Sequence, residues 1–232
     1  MPETGKKIVL ITGATGGIGK AISRQLSAEN NILILVSKNK EKLAKLKLQI
    51  ASSAIFPADF NYPRSIESIC QKINILYSKL DVLINNAAVF ETGRLENLNE
   101  ENYFRSFMVN VTAPFLMIKY LLPILKKSDA GHIINISSIS AHHAWTGGSA
   151  YCASKSALTG MSESLREEIK PSGIRLSVIS PGQTDTTMSL AGKKDPLRKK
   201  MLRAEEVAKL VVYTVALPKS AYFPEVILRP LI

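Results

Sequence analysis

Cysteine is nearly missing from this sequence: Cys70 and Cys152 are the only two, far apart along the chain. That pattern excludes a disulfide framework or a thiolate metal cluster and leads us to expect a reducing cytoplasm. Aromatic residues reach only 6%, with one tryptophan. A nucleic-acid surface needs stacking platforms or a basic stripe on one face, and neither is evident, so no nucleic-acid partner is expected. Long apolar runs are lacking too. None approaches the roughly 18–20 residues that span a bilayer, so no membrane partner is expected. The opening stretch MPETGKKIVLITG has too short an apolar part for a secretory signal. Metal is not expected either, because His142 and His143 stand side by side without a third ligand.

What is present is a large apolar fraction, 46%, enough for a sizeable core, and a formal charge of +11 from 30 Lys+Arg against 19 Asp+Glu. The positive residues are spread out, as in KNKEKLAKLK, where they take the outer face of an amphipathic helix. A solvated surface is the first reading of that charge, and attraction of a small anionic ligand the second.

Apolar β-branched runs alternate with helical patterns from end to end. Strands are expected in KIVLITG, NILILVS, AIFPAD, LDVLINN, HIINISS, IRLSVIS and EVILRP. Helices are expected after the first glycine loop and at about 39–50, 63–78, 99–125, 149–170 and 204–216, with a looser basic segment at about 185–203. This order specifies an α/β fold: a single doubly wound, Rossmann-type domain over 1–232, with a mostly parallel seven-stranded sheet and helices on both faces. Ligands of such sheets bind outside the carboxyl ends of the strands, so polar residues there matter most.

The first such end is LITGATGGIGKAI, where Gly13, Gly17 and Gly19 permit a tight turn and close approach of a diphosphate to a helix N-terminus. The spacing is G-x-x-x-G-x-G, and dinucleotide binding is expected. A carboxylate at the end of the second strand would bind the adenosine ribose hydroxyls; here Ser37 and Lys38 stand instead, which suits the extra 2′-phosphate of NADP(H). Asp59 and Phe60, after the third strand, would bound the adenine, and the NNAA stretch at 85–88 would admit the cofactor closely.

Tyr151 and Lys155 stand one helical turn apart and so point the same way. An ammonium some 4 Å from a phenol contributes about 4 kcal/mol at an effective dielectric of 20. That would lower the phenol pKa by about two to three units, towards an acid/base poised near working pH. Ser138 ends the fifth strand thirteen residues earlier and would hydrogen-bond the same substrate oxygen. It lacks the G-x-S-x-G surroundings and His–Asp relay of a hydrolase nucleophile. Asn110 lies in a predicted helix with Pro114 four residues on, and Pro114 has no N–H for the Asn110 carbonyl, which is left free for a water.

These motifs together resemble the short-chain dehydrogenase/reductase family over essentially the whole chain. TGATGGIG is similar to its T-G-x-x-x-G-[AG]-x-G loop, NNAA to N-N-A-G, YCASK to Y-x-x-x-K, and PGQTDT to P-G-x-x-x-T. Ala88 departs from the usual glycine. The resemblance implies an NADP-dependent exchange of carbonyl and alcohol, with a tetrad of Asn110, Ser138, Tyr151 and Lys155. It implies cofactor contacts at Gly13, Thr15, Gly16, Gly17, Ile18, Gly19, Ser37, Lys38, Asp59, Phe60, Asn86, Ala87, Tyr151, Lys155, Pro181, Gly182, Thr184 and Thr186. It also implies a homodimer or homotetramer through the helices at about 99–125 and 149–170. The C-terminus lacks a glycine pair and looks more like relatives acting on small 3-hydroxy acids, serine-type substrates or assorted carbonyls. Lys193, Lys194, Arg198, Lys199, Lys200 and Arg203 would lie over the cleft and suggest an anionic substrate, while His142, His143 and Trp145 would wall the pocket. The rival reading is an NADP-binding sensor or scaffold of the same fold without turnover.

Overall fold

Strands form here where aliphatic and β-branched residues run without interruption. In the computed structural model, which describes residues 6–50, 52–189, 192 and 194–231, seven of them make one sheet. These are β1 (Ile8–Thr12), β2 (Ile32–Ser37), β3 (Ser53–Pro57), β4 (Val82–Asn85), β5 (His132–Ile136), β6 (Arg175–Pro181) and, last in the chain, β9 (Glu225–Leu228). Their order is β3-β2-β1-β4-β5-β6-β9, and every pairing is parallel. This is the doubly wound parallel sheet expected from the alternation. The order reverses between β1 and β4, which opens a crevice at their carboxyl ends.

The helices are α1 (Gly17–Ala28), α2 (Lys40–Lys47), α3 (Pro63–Leu76), α4 (Glu100–Phe107), α5 (Ala113–Leu125), α6 (Ser149–Ile169) and α7 (Ala204–Ala216). Alternate strand residues point to opposite faces, so a run buried on both sides must be apolar throughout. On one face Leu10, Ile34, Val36 and Leu83 meet Ile66, Ile69 and Ile73 of α3 and Met117 and Leu121 of α5. On the other, Val9, Ile11, Leu33, Leu35 and Ile84 meet Ile22 and Leu26 of α1, Leu43 of α2 and Val211 of α7.

Two elements differ from the sequence reading. The helix expected at about 99–125 is broken in its middle by one π-helical turn, Met108–Thr112, between α4 and α5. Pro114 offers no N–H to the Asn110 carbonyl, and the wider turn takes up the mismatch. The continuous stretch Glu100–Leu125 is also long and apolar enough, by length and composition alone, to cross a membrane, which we had not expected of any segment. Half of its most apolar window is buried inside the fold, with Val109, Ala113, Met117 and Leu121 in the core. The segment at about 185–203 is less loose than expected: β7 (Thr184–Asp185) pairs in parallel with β8 (Leu202–Arg203), pinning it at both ends. Lys193 lies outside the described residues.

Candidate active site

The glycine loop is shaped by what a side chain would strike. Gly13 has φ +63°, and a Cβ there would lie 2.8 Å from the Ala87 Cα. At Gly19 a Cβ would lie 2.3 Å from the Gly13 carbonyl oxygen, so only glycine lets α1 start this close to the turn. Gly16 and Gly17 are exposed at the start of α1, where the helix dipole and the N–H groups of the first turn favour an anion. Thr186, after β7, rests against the loop, its methyl 2.6 Å from where a Gly17 Cβ would be.

Asn86 turns inwards. Its amide donates to the carbonyls of Thr12 (2.9 Å) and Gly13 (3.2 Å), while the Thr12 hydroxyl accepts from the N–H groups of Asn86 and Ala87. Asn86 thus ties the end of β4 to the glycine loop. Beside it, a cleft of about 190 Å³ is bounded by Gly13, Ser37, Lys38, Asp59, Phe60 and Ala87, six of the expected cofactor residues. The Thr15 and Ser37 hydroxyls hydrogen-bond at 2.6 Å. Lys38 is 68% exposed, and its ammonium is 2.8 Å from the Asp59 carboxylate. Burial pushes the Asp59 carboxyl up, but hydrogen bonds from Lys38 and Asn61 outweigh it and hold the pKa below its usual value. Farther along, the Gly182 N–H donates to the Leu228 carbonyl (2.7 Å), which fixes the turn after Pro181 against β9. Thr184 donates its hydroxyl to the Gly182 carbonyl at 2.9 Å.

Tyr151 and Lys155 do face the same side of α6, with Nζ 5.8 Å from the phenol ring centre. Ser138, two residues past β5, lies beside the phenol and accepts from the Ser140 N–H at 3.1 Å. Lys155 is buried and donates to the Ile136 carbonyl at 2.8 Å. Asn110, on the π turn, exchanges two hydrogen bonds with the Val89 backbone (2.9 and 3.0 Å) and donates to Ser154 Oγ at 3.0 Å. The four expected tetrad residues therefore gather beyond the carboxyl ends of β4 and β5, in the middle of the sheet.

The expected acidity of the phenol is not what this geometry produces. Burial pushes Tyr151 up to about 12, against the lowering effect of the Ser138 hydrogen bond. Burial also pulls Lys155 down to about 7. The expected lowering of the phenol pKa requires a charged ammonium close to the phenol. Here desolvation dominates at both groups, and the ammonium is aimed at the Ile136 carbonyl.

Residues 7–196 match the family described as short chain dehydrogenase. The chain belongs to the short-chain dehydrogenase family. An uncharacterized oxidoreductase of Staphylococcus epidermidis is 29% identical over 231 residues, which cover 99% of this chain and 100% of that one. Among solved structures, an alcohol dehydrogenase from the archaeon Thermococcus sibiricus, complexed with 5-hydroxy-NADP, is 27% identical with a TM-score of 0.90, covering 98% of this chain and 97% of that one. A short chain dehydrogenase from Burkholderia cenocepacia in complex with NADP is 26% identical with a TM-score of 0.88, covering 97% and 96%.

Several residues around this short-chain dehydrogenase site went unread in the sequence. Ser154 lies inside the YCASK motif and is the partner of Asn110. Phe90 lies two residues beyond the 85–88 stretch and packs edge-on against Tyr151; its position near that strand end was the available signal. Arg105 and Glu91 pair at 2.9 Å across the mouth of the cleft. Arg198, expected to meet substrate charge, instead pairs with the Asp185 carboxylate and donates to the Thr186 and Gly192 carbonyls. His142 pairs with Glu225 at 2.7 Å.

Proposed function

We propose that the protein interconverts a carbonyl compound and its alcohol with NADP(H), with Tyr151 as the general acid/base. The observation that carries this reading is the gathering of Tyr151, Lys155, Ser138 and Asn110 beside a glycine loop at the switch point of the sheet. The glycine loop, with the exposed Gly16 and Gly17 at a helix N-terminus, fits a diphosphate, and the cleft beyond it fits an adenosine. NADPH, when bound, would supply the hydride, with its two electrons, that the carbonyl carbon gains. Tyr151, neutral with a pKa of about 12, gives its proton to the carbonyl oxygen and regains one from solvent. Ser138 donates a hydrogen bond to that oxygen and stabilises its developing charge. Lys155, when protonated, favours the tyrosinate left behind. Asn110 fixes the Val89 backbone and, through Ser154, the turn of α6 that carries Tyr151 and Lys155.

Preference for NADP(H) is supported by Lys38, by the lack of a carboxylate at the end of β2, and by NADP compounds in the Thermococcus sibiricus and Burkholderia cenocepacia structures. A 2′-phosphate would compete with Asp59 for Lys38. Self-association as a homodimer or homotetramer is part of the reading, supported by Phe104 and Phe115, which α4 and α5 leave 67% and 39% exposed. The two free, buried cysteines fit a reducing cytoplasm.

The test is a panel of aldehydes, ketones, oxo acids and 3-oxoacyl thioesters, each with NADPH and with NADH. We expect carbonyl-dependent loss of NADPH absorbance that falls at least about 100-fold in Tyr151→Phe. NADPH binding without turnover of any carbonyl would instead favour a sensor. An NADH rate equal to the NADPH rate would overturn the cofactor preference.

A further inference from the structure

The ring that covers Tyr151 belongs to none of the motifs. Phe90 meets the phenol edge-on, with ring centres 4.6 Å apart and planes at 86°. Trp145 stands behind it, 5.9 Å from Phe90. Both are held in place. The Gly93 N–H donates to the Gly147 carbonyl at 2.9 Å, tying the segment after Phe90 to the one after Trp145. Gly148 leaves room for the indole, since a Cβ there would lie 2.6 Å from it. The indole N–H donates to Ser140 Oγ at 3.2 Å, so the polar edge of Trp145 is turned into the protein.

Charge at this mouth is already paired. Arg105 meets Glu91, Arg198 meets Asp185, and the Lys155 ammonium points at the Ile136 carbonyl. The outer cleft, about 380 Å³, is lined by Ala88, Val89, Phe90, Thr187 and Met188 and by the mutually paired Glu91 and Arg105.

We infer that Phe90 and Trp145 select an aryl-substituted aldehyde or ketone as the substrate presented to Tyr151. The inference rests on the carbonyl–alcohol reading above. A carbonyl oxygen within hydrogen-bond reach of Tyr151 and Ser138 leaves its substituent within about one ring's width of Phe90. An aryl group there finds edge-to-face and offset partners at the spacings that aromatic pairs favour. A carboxylate there would meet the π-electron density of the rings and the Glu91 side chain, whose partner Arg105 is already engaged.

The experiment compares acetophenone, propanal and pyruvate with NADPH in the wild type, Phe90→Ala and Trp145→Phe. We expect kcat/KM for acetophenone to exceed that for pyruvate by about tenfold or more. Phe90→Ala should raise KM for acetophenone about tenfold more than KM for propanal, with kcat less affected. Trp145 is the only tryptophan, so its fluorescence gives a reading independent of turnover: acetophenone should quench it saturably in the wild type and more weakly in Phe90→Ala. Preference for pyruvate, or a Phe90→Ala loss equal for every substrate, overturns this inference and leaves the carbonyl–alcohol reading standing. If no carbonyl is turned over, that reading fails, and the quench alone decides: saturable quenching supports an aryl pocket and its absence overturns it.

Discussion

Lys155 shows how burial sets chemistry at a single side chain. An ammonium in water titrates near 10.4, whereas this one is buried with one carbonyl partner and titrates near 7. It carries its charge below about pH 7 and loses it above. In the proposed reaction, anion attraction at the dinucleotide site and support of the tyrosinate would both depend on that charge. We therefore expect kcat/KM for NADPH, which reports the cofactor-free protein, to fall as pH rises through about 7. In Lys155→Met the low-pH plateau should disappear. A wild-type profile that stays level from pH 6 to 9 would show that this titration does not control binding. Tyr151, pushed up to about 12, stays protonated across the same range.

Short elements do the positioning. The π turn at Met108–Thr112 swings Asn110 to face the Val89 backbone and Ser154 together, joining the end of β4 to α6. The β7–β8 ladder brings the two ends of the 185–203 segment together, and Arg198 clips its middle to Asp185 and to the Thr186 carbonyl. Thr186 in turn rests on the glycine loop. Removing the clip should loosen the segment that rests on the glycine loop, where the proposed dinucleotide would bind, without touching the phenol. Arg198→Ala should raise KM for NADPH about five- to tenfold with a smaller change in kcat, and speed tryptic cleavage within 186–201. Arg198→Lys should restore only part of this, because a point charge cannot reach the carboxylate and the carbonyl as a planar fork does. Identical KM values in all three proteins would remove Arg198 from this role.

Across the whole molecule, the end of the sheet opposite the site carries the acid-sensitive groups. His132 is fully buried between Ser177 Oγ, at 2.8 Å, and a side where Nδ1 has no partner. Burial, then the charges of Arg175 and Lys7, pull its pKa down to about 3. An unfolded histidine titrates near 6.5, so between those values the unfolded chain binds more protons than the folded one. Stability must fall as pH falls through that window, by at most about 1.4 kcal/mol per unit. Asp81 acts in the same direction. Burial pushes it up, but hydrogen bonds from the Ile8 N–H, Ser128 and Lys79 hold it below its usual value, and that contribution is lost as it protonates. Melting curves from pH 7.5 to 4.5 should show Tm declining below about 6.5, less steeply in His132→Asn. Equal slopes in the two proteins would exclude His132 as the cause.

Much of this molecule was readable from neighbours in the chain. Unbroken apolar strands, the glycine spacing from Gly13 to Gly19 and the one-turn interval from Tyr151 to Lys155 are local patterns, and backbone geometry alone turns them into a parallel sheet, a phosphate-sized bend and a shared helix face. The sequence by itself therefore determined the sheet, the loop and the grouping of the reactive side chains. The tertiary structure alone decided which charges are paired and which groups are dry. Lys38 meets Asp59 across β2 and β3, Arg198 meets Asp185 across a folded-back segment, and Phe90 comes from a different strand end to cover Tyr151. Desolvation and ion pairing depend on what packs nearby in space, so the direction in which Tyr151 and Lys155 titrate was set only once distant segments closed around them.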